Sequence, residues 1–95
     1  MGFISTTTVS SSGDIDTGYD LFFVDASGAS VTLTLPDIGF ADGQHFIFVP
    51  TDVTNSVIIQ GNTGLQTING NTTYALTSAN VQYNVVSFNN VWILY

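Results

Sequence analysis

Short apolar segments recur along this chain every eight to twelve residues or so, separated by Gly, Asn, Asp or Pro. The alternation is strictest in residues 30–35, which read S-V-T-L-T-L. Because successive side chains of a strand point to opposite faces, Val31, Leu33 and Leu35 are predicted to lie inside and Thr32 and Thr34 outside. No segment shows a convincing helical period. The pattern predicts an all-β protein, an antiparallel β-sandwich or jelly-roll-like barrel of about eight short strands.

Turn signals fix the approximate limits of the candidate strands. Asn69-Gly70 is a strong signal for a two-residue hairpin turn, and Asn89-Asn90 fits a second one, because Asn and Gly tolerate positive φ. Pro36 ends the alternating segment by removing a hydrogen-bond donor. The segments predicted as strands are residues 3–9, 19–25, 30–35, 44–49, 57–60, 65–69, 72–77, 80–88 and 91–95.

The chain of 95 residues is long enough for one domain and too short for two. Residues 1–18 are rich in Ser, Thr and Gly, and we expect them to form a polar N-terminal arm or a first strand that orders on contact. Residues 19–95 are predicted to form a single β-sandwich domain.

Three segments are apolar on both faces of their predicted strands, namely residues 21–24, 46–49 and 91–95. A domain of this size has one inner layer, so a second apolar face needs a second cover. We therefore predict oligomerisation, with the alternative that a closed barrel or deep sandwich leaves scattered apolar side chains exposed. The predicted interface residues are Phe22, Val24, Ile47, Val49, Trp92 and Tyr95.

Composition sharpens this prediction. All charged side chains are Asp, which gives a formal net charge of −7, and there is no Lys, Arg or Glu. Nucleic acids and anionic membranes are not expected as partners, because binding them requires cationic side chains. The usual protection of exposed strand edges by Lys is also missing. Since Cys is absent, neither disulfides nor thiolate metal sites are available.

Residues 19–95 resemble the C-terminal β-domains of bacteriophage tail fibres and spikes, and small trimeric capsid decoration (cement) proteins. The segments that carry the resemblance are 23–28 (F-V-D-A-S-G), 31–36 (V-T-L-T-L-P), Gly43 before an apolar strand, 57–59 (V-I-I), 67–70 (T-I-N-G) and 91–93 (V-W-I). These segments consist of strand and turn patterns, and no catalytic motif comes with them.

The resemblance implies a structural protein on the virion surface, made in the host cytoplasm and assembled as a homotrimer. Its partner would be the major capsid protein or another virion protein. No heptad repeat, Gly-X-Y stretch or long β-shaft precedes the domain, which favours a decoration protein that stabilises the phage shell. The alternative is the receptor-binding head of a fibre or spike, with a loop such as residues 61–64 contacting a host glycan or protein.

Candidate chemistry is sparse, and we predict no enzyme activity and no cofactor. Asp14, Asp16 and Asp20 stand close together around Gly18, and carboxylates at such spacing are weak candidates for a calcium site. A solvated turn is the other interpretation. His45 lacks the motif of a nucleophilic triad, and a structural or interfacial histidine is expected instead.

Aromatic side chains offer one further candidate for binding. Tyr74, Tyr83, Trp92 and Tyr95 are available to stack on sugars, although aromatic residues on strands are more often part of a core or a subunit contact.

Overall fold

A computed structural model describes residues 5–37, 44–62, 66–88 and 91–95. Within these ranges there is no long apolar helix of the kind that crosses a bilayer. The predicted turn at Asn89-Asn90 and residues 63 and 64 of the loop 61–64 lie outside the described residues. The strands are β1 (Thr6–Val9), β2 (Gly13–Asp14), β3 (Leu21–Asp25), β4 (Val31–Thr34), β5 (His45–Asp52), β6 (Val57–Gln60), β7 (Thr73–Ala75), β8 (Tyr83–Phe88) and β9 (Val91–Leu94).

These strands form two mixed sheets, which confirms the all-β prediction. The five-stranded sheet has the order β1-β3-β5-β8-β9, and the four-stranded sheet has the order β2-β4-β6-β7. Up to β6 the chain changes sheet after every strand, so neighbours within a sheet run parallel. The predicted antiparallel pairing is therefore wrong for β1 to β6, and it holds only for the last ladders of each sheet.

The parallel strands stack as successive coils, a path typical of β-solenoids. In the second and third coils, Leu21 lies beside Ile47 and Val31 lies beside Val57. The turns that leave the five-stranded sheet are also alike. Asp25 Oδ1 accepts from the Ser27 N–H at 3.0 Å, and Asp52 Oδ1 accepts from the Thr54 N–H at 2.8 Å. Such Asx turns carry the chain from one sheet to the other.

The core fills the space between the two sheets. Phe22, Phe48 and Trp92 come from the five-stranded sheet, whereas Leu33 and Ile59 come from the four-stranded sheet. The rings of Phe22 and Phe48 stack with centroids 5.3 Å apart, which links neighbouring coils inside the core. The predicted inward positions Val31, Leu33 and Leu35 are buried, as expected from their alternation.

The N-terminal segment belongs to both sheets. β1 pairs with β3 and β2 pairs with β4, each in parallel. Ile15 follows β2 and is buried in the common core. Residues 5–18, although rich in Ser and Thr, therefore form a first coil that pairs with later strands of the same chain.

Gly61 lies where the chain leaves β6 and passes close to Gln66. A Cβ added at Gly61 would overlap the backbone carbonyl of Gln66, whereas one added at Gly28 meets no atom within 4 Å. We expect Gly61→Ala to destabilise the fold by about 2 kcal/mol or more, because the backbone must move to remove this overlap. Gly28→Ala is the matched control, and we expect it to change stability by less than about 1 kcal/mol. Urea unfolding of both variants measures the difference, and equal midpoints would contradict this account.

Candidate assembly surface

The outer face of the five-stranded sheet is apolar. Pairing places Leu21 beside Ile47, Phe23 beside Val49, and Val86 beside Ile93. Because directly paired residues lie on the same face of a sheet, these side chains form two apolar patches, one on β3 and β5 and one on β8 and β9, with His45 and Asn84 between them. We call this surface the apolar outer face; its members are Leu21, Phe23, Ile47, Val49, Val86, Phe88, Val91, Ile93 and Tyr95.

Exposure rises across this face from its centre toward β9. Leu21, Phe23, Ile47 and Val49 are half-buried by their neighbours in the sheet. Ile93 is 37% exposed, Tyr95 64% and Phe88 66%. No described strand covers these side chains, so large apolar surface faces outward.

Carboxylates lie at the margins of the apolar outer face. Asp20 precedes β3, and Asp25 and Asp52 stand together at the opposite end of their strands. Hydrogen bonds from the hydroxyl and N–H of Thr54 hold the pKa of Asp52 below its ordinary value. This carboxylate therefore stays ionised at neutral pH. It lies outside the apolar part of the face. The face has a neutral centre and an anionic margin.

The outer face of the four-stranded sheet differs in character. Thr32 lies beside Ile58, which lies beside Ala75, and Asp14 lies beside Thr34. Its polar side chains also bond to one another, since Gln60 Nε2 donates to Thr34 Oγ1 at 2.7 Å. Ile58 is its one large apolar side chain among the described strands. The molecule is therefore apolar on one outer face and mainly polar on the other.

Three of the predicted interface residues lie elsewhere. Phe22, Val24 and Trp92 are at most 1% exposed within the single chain. They point into the core, so they have no surface to offer to another subunit, and their assignment to an interface is corrected. Ile47, Val49 and Tyr95 do lie on the apolar outer face.

Sequence reasoning missed six members of this face, namely Leu21, Phe23, Val86, Phe88, Val91 and Ile93. In β3 both alternating sets are apolar, so the period of two cannot say which set faces inward. Ala26 offered a signal in the sequence for which alternating set faces inward. It stands at the next alternate position after Phe22 and Val24, just beyond the strand, and all three residues are buried.

The structure does not bring the carboxylates of the calcium candidate together. Asp16 Oδ1 accepts from the N–H of Gly18 at 2.8 Å, and Asp20 Oδ2 accepts from the N–H of Ser5 at 3.3 Å. Asp14 lies on β2 beside Thr34. Among the described residues, no three metal-ligating side chains converge. Asp16 and Asp20 act as turn and backbone acceptors, which fits the solvated-turn interpretation.

His45 begins β5 at the edge of the apolar outer face. Its Nε2 lies 3.3 Å from Asn84 Oδ1, and its ring is nearly parallel to that of Tyr95, with centroids 6.5 Å apart. The first contact ties β5 to β8, and the second ties β5 to the end of β9 across β8. The arrangement suits a structural or interfacial histidine.

The aromatic residues considered as a sugar platform are dispersed. Trp92 is buried beside Phe46, and Tyr74 and Tyr83 pack half-buried against the core. The Tyr83 hydroxyl accepts from the N–H of Ser78 at 3.2 Å. Of the four candidates only Tyr95 is exposed, and it belongs to the apolar outer face.

The fold and this surface define a two-sheeted all-β protein with one apolar and one polar outer face. No family model matches the chain, and no curated protein matches it in sequence. Its function is therefore inferred from its own residues.

Proposed function

We propose that this protein is a non-enzymatic structural component that assembles through its apolar outer face. The observation that carries the proposal is the pair of neighbouring apolar patches on the outside of the five-stranded sheet. Apolar surface of this extent gains free energy when it is removed from water. Covering it by another subunit is the direct way to obtain that gain.

The distribution of charge on the surface is compatible with a second copy of the chain as the cover. The chain carries a formal charge of −7 and no Lys or Arg, so two copies repel wherever their carboxylates meet. Contact through a neutral centre keeps Asp20, Asp25 and Asp52 at the rim, where water and salt screen them. Depletion of charge at the centre and polarity at the rim is the usual anatomy of a protein interface.

The size of the face sets the strength of one contact. The face spans four strands about 4.8 Å apart and is about five residues deep, which gives a footprint near 320 Å². Two such faces cover about 640 Å² in projection, which lies below the usual range of about 1,200–2,000 Å² for stable complexes. A single contact is therefore weak, and assembly gains from several contacts together.

The specific proposal is a homotrimer that decorates a virion shell, with the apolar outer faces turned toward one another. It is supported by the two-faced surface and by the resemblance to phage virion β-domains. A protein of this kind stabilises the shell by mass action, because it binds the assembled state in preference to free subunits. Its placement on the virion surface and its contact with the major capsid protein belong to the same proposal.

The alternative role is the receptor-binding head of a tail fibre or spike. Quantitative mass spectrometry of purified particles separates the two roles. Decoration predicts copies of this chain in proportion to the shell subunits, whereas a head predicts copies in proportion to tails or vertices. Particles that lack the chain altogether would contradict both.

A further inference from the structure

The two edge strands of the five-stranded sheet, β9 and β1, differ in the bonding of their outward backbone groups. At the β9 edge, the side-chain amide of Asn69 donates to the Leu94 carbonyl and accepts from the Leu94 N–H, each at 3.0 Å. The Asn69 N–H also donates to the Trp92 carbonyl at 3.0 Å, and Trp92 donates to Thr67 at 2.9 Å. The outward backbone groups of β9 are thus bonded within the chain, and this edge is closed.

At the β1 edge, no such cover is formed by the part of the chain that the structure describes. Ser5 accepts from the N–H of Leu21 at 3.0 Å, and residues 6–9 pair with β3 without a break in register. In a parallel ladder the residues that bond to the neighbouring strand alternate. The N–H and C=O groups of Thr6 and Thr8 therefore point away from β3, and no described residue bonds to them.

β1 also lacks the features that normally protect an edge strand. Such strands carry charges, Pro or bulges, whereas β1 reads Thr-Thr-Thr-Val and pairs regularly. Its inward side chains Thr7 and Val9 line a cavity of about 380 Å³, with Phe22 and Leu33 on the apolar wall. A strand added at this edge would satisfy the free backbone groups and cover the end of the core.

We propose that β1 pairs antiparallel with β1 of a second copy, which joins two five-stranded sheets into one. A second copy offers the same uncharged edge, and the charges around the edge are compatible with pairing. Asp14 and Asp16 line the cavity beside the edge, and the nearest carboxylate on this sheet, Asp20, lies beside Ser5 at the start of the strand. Antiparallel pairing centred on Thr7 places the two Asp20 side chains at opposite ends, at least about 13 Å apart along the ladder, where salt screens them.

This inference rests on the proposed self-association but uses a different surface, an edge instead of a face. Contact between β1 strands is isologous and closes after two copies. Contact through the apolar outer face involves other residues. Together the two contacts link one trimer to the next, so the protein builds a network of trimers.

The test combines substitutions at Thr8 with the face variant Ile47→Asp. Thr8→Pro removes the free N–H without touching the β1–β3 ladder, and Thr8→Val keeps that N–H. Sedimentation equilibrium gives the mass across a concentration series, and circular dichroism confirms the fold. We expect Ile47→Asp to leave a dimer. We expect Thr8→Pro in that background to raise the dimer dissociation constant at least tenfold, and Thr8→Val to leave it unchanged.

Two results would overturn the edge proposal. One is an Ile47→Asp variant that is monomeric throughout, which would leave the face proposal standing. The other is a dimer whose dissociation constant Thr8→Pro leaves unchanged.

If Thr8→Pro unfolds the chain, amide exchange of the Ile47→Asp variant decides instead. Protection of the Thr6 and Thr8 amides that rises with concentration supports the pairing, and fast exchange at every concentration overturns it. If Ile47→Asp changes nothing but Thr8→Pro dissociates the protein, the face proposal fails and the edge stands.

Discussion

Ile47→Asp is expected to weaken assembly through the apolar outer face by at least about thirtyfold in the dissociation constant. Ile47 lies at the centre of the face, between Leu21 on β3 and Asn84 on β8. A carboxylate at this point would lose its hydration in the interface without finding a Lys or Arg partner, since the chain has neither. Burying an unpaired charge in an interface costs about 2–5 kcal/mol, which corresponds to this factor or more.

Ile58→Asp is the matched control for this experiment. Ile58 is also half-buried, on the outer face of β6, and it also lies on a strand flanked by two others. Its substitution imposes a similar cost on the fold of one chain, but it lies on the polar side of the molecule. We expect Ile58→Asp to keep the wild-type mass in light scattering. Equal loss of assembly in both variants would show that unfolding, not the face, is responsible.

Trp92→Ala is expected to destabilise the folded chain by about 3–5 kcal/mol, the usual cost of removing a large aromatic side chain from a core. Trp92 is 0% exposed and packs against Phe46 with ring centroids 6.1 Å apart. A loss of this size is a large part of the stability of a small domain. Thermal or urea unfolding of dilute protein measures it.

Two comparison variants make this prediction specific. Trp92→Phe keeps an aromatic ring and removes an Nε1–H that has no partner among the described residues, so it should lose less than Trp92→Ala. Tyr95→Ala removes a side chain that is 64% exposed, and it should weaken assembly while leaving the stability of one chain nearly unchanged. Were Trp92→Ala to dissociate the assembly without changing stability, Trp92 would be an interface residue after all.

The all-β class and much of the strand pattern could be predicted from local sequence. Residues 57–60 match β6, and the alternation of residues 31–35 matches their burial, because a period of two maps directly onto a pleated strand. The Asn69-Gly70 turn also forms as predicted, with φ values of 51° and 86°. Each of these features depends on a few neighbouring residues.

The direction of the ladders could not be predicted in the same way. A turn rich in Asp, Ser and Gly can return a strand beside its predecessor or carry it to the opposite sheet. Here Asn55 links the turns of neighbouring coils, because its N–H and its Nδ2 both donate to the carbonyl of Ala26, at 3.0 and 2.9 Å. Contacts between turns of different coils are invisible to local patterns. Comparing the apolar spacing of residues 21–34 and 47–60 would have been the available signal.

The candidate surface was predictable in kind and not in detail. Apolar residues on both faces of β3, β5 and β9 correctly indicate strand surface beyond one core. Which face is inner depends on the direction from which the second sheet packs. The interface assignment therefore fell on an outward side chain at Ile47 and on a core side chain at Phe22, although both lie on strands that are apolar on both faces.

Sedimentation velocity of the wild-type chain over a wide concentration range, at low and at high salt, tests the central claim most directly. Self-association through a neutral face predicts a mass that rises with concentration and rises further with added salt, because salt screens the repulsion between the carboxylates. A folded chain that keeps the mass of one copy, 10.1 kDa, at every concentration and salt level would contradict the account.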